Sequence, residues 1–111
     1  MINQASDKQV KIGVLGATGM VGQRFIALLA LHPFFVIHAL GASARSAGKT
    51  YAKAVNWKQT SPIPSHVREM VVQECIPEHF AECVIVFSGL DSEVAGDIGE
   101  FSWLSSTLQV F

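Results

Sequence analysis

Three glycines spaced three apart, Gly16, Gly19 and Gly22, come directly after a short β-branched apolar run, Val10–Leu15 (VKIGVL). Such a run, bounded by glycine, fits a buried strand. Beyond the segment GATGMVG, apolar Val21, Phe25, Leu28 and Leu29 recur at helical spacing across residues 20–31, with Gln23 and Arg24 on the other side. His32-Pro33 stops that helix, because proline lacks the N–H and collides with the preceding turn. Residues 34–40 (FFVIHAL) read as a second strand. Strand, helix and strand within about thirty residues make a βαβ unit, whose crossover sets the strands parallel and lays the helix over the sheet.

The remainder extends that pattern. Residues 41–49 form a small-residue loop, and 51–65 are irregular, with Pro62 and Pro64 excluding a central strand or helix interior. Residues 67–73 read as a further strand, and 76–81 as a short helical turn opening on Pro77. Residues 84–87 are apolar throughout, as a strand covered on both faces should be. Asp91 or Ser92 can cap a helix running to about Ser105, and 108–111 (LQVF) begin another strand. The expectation is an α/β protein: a Rossmann-type doubly wound parallel sheet, order 3-2-1-4-5 or a part of it. It occupies residues 10–111 behind a polar N-terminal extension, 1–9, and is incomplete at its C-terminus.

A chain of 111 residues, half of them hydrophobic and 15% charged, can bury one core. The net charge of −1 gives no electrostatic case for nucleic acid or an anionic membrane. Residues 1–9 are polar and of mixed charge, without a signal-peptide apolar core. The longest apolar stretch, 25–42, is broken at Pro33, so no membrane span is expected. Two cysteines make neither a disulfide framework nor a metal site, and His32, His38, His66 and His79 lack metal-ligand spacing. Cys75 and Cys83 have no basic neighbour in sequence that would make either a nucleophile. Trp57 and Trp103 read as packing residues. A cytoplasmic protein is expected.

The glycine turn carries the chemistry. A dinucleotide pyrophosphate bears two negative charges, and a helix start offers unpaired N–H groups and the positive end of the dipole. Gly16 makes the tight exit from the strand, Gly19 faces the pyrophosphate, and Gly22 lets the helix pack on the sheet. Thr18 adds a hydroxyl. The same residues would also serve a ligand-free strand-to-helix turn, but strand, helix and second strand around them favour a ligand. At the end of the second strand, NAD-binding domains place a carboxylate about twenty residues past the glycines to hold the ribose 2′-OH. Here the segment Leu40-Gly41-Ala42-Ser43-Ala44-Arg45-Ser46 has none. Ser43, Arg45 and Ser46 supply donors and positive charge instead, as a 2′-phosphate requires. An ordinary surface loop has the same composition; its place after the second strand favours phosphate. Ser88 and Gly89, past the strand at 84–87, can line the cofactor, while Asp91 caps the next helix.

KIGVLGATGMVGQRF, the loop GASARSAGKTY, AVNW and VIVFSGLDSEVAGDI together resemble the N-terminal part of aspartate-β-semialdehyde dehydrogenase, the fungal and archaeal type above all. The resemblance runs from Val10 to Ile98, about the first third of such an enzyme. It implies an NADPH-dependent reduction of aspartyl phosphate to aspartate semialdehyde, on the route to lysine, threonine, methionine and isoleucine. It implies cofactor contacts from Thr18, Gly19, Met20 and Val21, from Ser43, Arg45 and Ser46, and from Ser88, Gly89 and Leu90. It implies a homo-oligomer acting on a small-molecule substrate. Family members often carry an Asp before the strand after Cys83, and residues 99–106 match the family poorly. The family's nucleophilic cysteine and acid/base histidine lie far beyond an LQVF-like strand, so the chain is expected to be a fragment, inactive alone. N-acetyl-glutamyl-phosphate reductase, with a similar turn and the same acyl-phosphate chemistry, and a non-catalytic NADP-sensing module are the competing readings.

Overall fold

Val10–Leu15 forms β1, the central strand of the computed structural model, which describes residues 10–89 and 109–110. Helix α1, Met20–Leu29, leads to β2, Phe35–Ala42. Two four-residue helices come next, α2 (Tyr51–Ala54) and α3 (Ser65–Arg68), then β3 (Gln73–Glu74), a 3₁₀ turn (Pro77–Phe80), β4 (Ile85–Ser88) and β5 (Gln109–Val110). The sheet order is β3-β2-β1-β4-β5, and each neighbouring pair is parallel. The expected doubly wound order is therefore present. Parallel order reverses beside β1, between β2 on one side and β4 on the other, and ligands of open α/β sheets bind at that point, beyond the strand ends.

Two local expectations are corrected. Residues 67–73 do not form a strand: Pro64 pre-sets the first turn of α3, whose Val67 is fully buried, Val71 makes an isolated bridge to Thr50, and strand pairing begins at Gln73. The 51–65 stretch is not irregular at its start, since Tyr51–Ala54 turns once as α2. The short turn at Pro77 and the strand at 84–87 stand as expected, the latter shifted by one residue. The N-terminal extension, the 91–105 helix, Leu90 and Trp103 lie outside the described residues.

The sheet buries both faces. On one, Ile12, Val14, Ile37, Leu40 and Ala42 pack against Ile26 and Leu29 of α1 and against Tyr51, Val67 and Val72. On the other, Leu15, Ala39 and Val86 pack against Phe80 and Cys83. Phe80 closes this face because Gly13 and Gly41 leave room for its ring: a Cβ at Gly41 would stand 2.8 Å from Phe80 Cζ. The pairing of β1 with β2 slips between Ile12 and Gly13, from Ile37 to Ala39. The extra residue, His38, faces solvent, with Nε2 3.5 Å from Glu82 Oε1. Among the described residues no helix is long and apolar enough to cross a membrane.

Candidate cofactor-binding site

The register of the three central strands assembles the site. Leu15, the last residue of β1, stands opposite Gly41 of β2 and Ser88 of β4. The turn at Gly16, the loop starting at Ser43 and the chain leaving Ser88 thus emerge along one sheet edge. Gly16 adopts φ 68°, the left-handed conformation that favours glycine. Ala17 N–H donates to Gly41 O at 2.9 Å, and the buried Tyr51 hydroxyl donates to Ala17 O at 2.7 Å. Burial pushes the Tyr51 phenol far above its usual range, so it remains a donor.

Helix α1 opens without a side-chain cap and without an acidic residue in its first turn. Its first backbone bond runs from Gln23 N–H to Gly19 O, 2.9 Å, so the amides of Met20, Val21 and Gly22 precede the helical ladder. A Cβ added at Gly19 would meet only Gly16 O, at 3.6 Å. No contact in the described chain explains a missing side chain there. Gly22 differs: its Cβ would run into the Gly16 carbonyl oxygen and lie 2.8 Å from Ala17 Cα. Gly89 closes the other side, where a Cβ would stand 2.7 Å from Gly22 N, and its own N–H donates to Leu15 O at 2.8 Å.

The remaining expected residues lie around this start. Thr18 is half-buried in the turn, and Met20 and Val21 are 56% and 55% exposed at the helix start. After β2, Ser46 N–H and Ala47 N–H both donate to Ser43 O, folding the loop into a turn. Ser43 and Arg45 are exposed and Ser46 half-buried. Among the described residues no carboxylate pairs with Arg45. Beside the turn, Met20, Val21, Arg24, Lys58, Gln59 and Thr60 line an open groove of about 520 Å³.

Periodicity misplaced the inner face of α1. Val21 and Leu28 are exposed, whereas Gly22, Gln23, Ile26 and Leu29 are buried. Both faces of α1 carry apolar residues, so spacing alone does not separate them. Gln23, expected on the polar side, is 2% exposed and holds the turn from within. Tyr51 was likewise not anticipated; a lone tyrosine in a small-residue loop gave no signal. Trp57 packs as expected, edge-on to Tyr51 with ring centroids 6.2 Å apart, its indole N–H donating to Ser61 O at 2.6 Å. Neither thiol is activated. Burial raises Cys75, against a smaller opposing effect of the Gly16 backbone, and burial pushes Cys83 up to about 11.

Residues 11–108 match the model of the semialdehyde dehydrogenase NAD-binding domain. The aspartate-semialdehyde dehydrogenase of Cryptococcus neoformans var. neoformans is 68% identical over 92 residues, covering 81% of this chain and 25% of that protein. The Saccharomyces cerevisiae enzyme is 63% identical over 86 residues, covering 78% and 24%. The crystal structure of aspartate semialdehyde dehydrogenase with NADP from Candida albicans superposes with a TM-score of 0.86 at 61% identity, covering 92% of this chain and 28% of that one. The chain thus spans about a quarter of the length of the curated relatives it matches. With 98 of 111 residues matched by the family model, the chain belongs to the semialdehyde dehydrogenase family, within its NAD-binding domain.

Proposed function

We propose that this chain is the NADP-binding portion of an aspartate-semialdehyde dehydrogenase. The observation that carries the reading is the uncapped start of α1 facing a side-chain-free Gly19, with Arg45 and no carboxylate beyond β2. The likeness to the NADP-bound Candida albicans enzyme supports it. In this reading the amides of Met20, Val21 and Gly22 receive the pyrophosphate, with Thr18 and Gly19 in the turn. Ser43, Arg45 and Ser46 hold the 2′-phosphate, and Ser88, Gly89 and Leu90 stand beside the cofactor. NADPH supplies the hydride that converts aspartyl phosphate to aspartate semialdehyde and inorganic phosphate.

The chain carries the cofactor and not the acyl-transfer chemistry. Its two thiols, Cys75 and Cys83, are both free and both shifted away from ionisation, the opposite of a nucleophile's requirement. Free thiols also suit the reducing cytoplasm. Large apolar side chains left exposed, among them Leu28, Leu31 and Phe34, support a homo-oligomer. Light scattering should then return a multiple of the 12.0 kDa chain mass, and a monomer at every concentration would refute it.

Cofactor titration tests the central reading. One charge-assisted bond to the 2′-phosphate on an exposed loop contributes about 1.5 kcal/mol. Arg45→Ala should therefore weaken NADP by about tenfold and leave NAD unchanged. In the same preparations, phosphate-dependent reduction of NADP by aspartate semialdehyde should be absent. Equal loss of both cofactors in Arg45→Ala, or a wild type that prefers NAD, would overturn the 2′-phosphate assignment.

A further inference from the structure

We infer that Gln23 is a positioning residue for the dinucleotide, holding the glycine turn and the segment after α2 in one rigid frame; the inference rests on the NADP reading above. From the first turn of α1 its side-chain amide donates to Thr18 O at 3.0 Å and to Asn56 O at 3.1 Å. Its Oε1 accepts the Lys58 N–H at 2.8 Å. Both amide hydrogens and the oxygen are thus engaged on a side chain that is 2% exposed. The Thr18–Gly19 peptide plane is pinned at both ends, since Gly19 N–H donates to Gly16 O at 3.1 Å. That plane sets the orientation of the helix start, and hence of the amides that meet the pyrophosphate. The same side chain fixes the backbone of Lys58, which lines the groove beside Met20, Val21 and Arg24. A frame fixed before binding spares the ligand the cost of ordering it.

Only an amide provides two donors and one acceptor at this place. A carboxylate in Gln23→Glu would face two carbonyl oxygens when ionised, and when protonated would return one donor. The test compares the wild-type chain with Gln23→Glu, Gln23→Met and Ile37→Ala, the last a core substitution remote from the turn. NADP and NAD dissociation constants are measured from about pH 5 to about pH 8, together with amide hydrogen exchange at Lys58 without cofactor. The Gln23→Glu to wild-type ratio should rise from about threefold, with one donor missing, to about tenfold across that range, equally for both dinucleotides. Gln23→Met should be about tenfold weaker throughout, with Lys58 unprotected, and Ile37→Ala should lose thermal stability but not affinity. A pH-independent Gln23→Glu ratio, or affinity lost in Ile37→Ala as much as in Gln23→Met, overturns the inference. If the wild type binds neither dinucleotide, the NADP reading fails instead. Lys58 exchange then still decides the frame: protection unchanged in Gln23→Met overturns it, and protection lost upholds it.

Discussion

Gly19 and Gly22 belong to one motif and are glycines for different reasons. At Gly22 the chain itself forbids a side chain, because the Gly16 carbonyl occupies the space. At Gly19 the chain permits one: φ is −84°, ψ is 174°, and the nearest atom stands 3.6 Å from a built Cβ. Serine is among the best N-cap residues, so Gly19→Ser should leave thermal stability unchanged or raise it. It should weaken NAD and NADP alike, since the obstruction falls on their shared pyrophosphate. Gly22→Ala should lower stability by about 3 kcal/mol or more, because backbone atoms, not a flexible side chain, must give way. Thermal melts and cofactor titrations of the two variants separate the roles, and a destabilised Gly19→Ser that binds normally would reverse them. The motif assigned the three glycines different roles, but the atoms that forbid a side chain at Gly22 could not be read from it, because they depend on how α1 sits against β1.

At the scale of elements, β1 and the start of α1 were legible because local chemistry dictates them: a β-branched run, then glycines, then helical spacing. The buried face of α1 was not, since apolar residues line both sides and only docking against β1 and β2 chooses. Residues 67–73 misled for a related reason, apolar Val67, Met70, Val71 and Val72 satisfying a helical turn and a bridge as well as a strand. That both faces of the sheet are covered was legible; what covers the second was not. It depends on Phe80 entering over Gly13 and Gly41, with Cys83 beside it. Burial there raises the Cys83 thiol from about 9.0 to about 11. A raised thiol pKa favours the neutral form in the folded chain, so this contribution is complete below pH 9.0 and is lost as pH rises towards about 11. The melting-temperature difference between wild type and Cys83→Ala should be constant at neutral pH and shrink above that value. A difference unchanged to pH 11 would show that the thiol ionises as readily folded as unfolded.

Across the whole molecule the net charge of −1 conceals a segregation. All eight lysines and arginines lie between Lys8 and Arg68, whereas of nine acidic residues only Asp7 precedes Glu69. Two of the cations stand beside the glycine turn. Arg24 and Lys58 line the groove by α1, and Arg45 and Lys49 come after β2. Glu74, Glu78 and Glu82 belong to β3, the 3₁₀ turn and the approach to β4. Among the described residues Lys11 is the one lysine or arginine paired with a carboxylate, Glu82 at 3.3 Å. NADP carries about two negative charges on its pyrophosphate and up to about two on its 2′-phosphate. In the NADP reading it meets Arg24, Arg45 and Lys58, which form no ion pair among the described residues. Such a field accelerates encounter and is screened over about 10 Å at 0.1 M salt. Stopped-flow association of NADP should slow several-fold between about 0.02 and 0.5 M salt, with dissociation changing less. NAD, lacking the 2′-phosphate, should show a shallower dependence, and Lys58→Gln should flatten both. A salt-independent association rate, or equal slopes for the two dinucleotides, would mean that the segregated charge plays no part in cofactor capture.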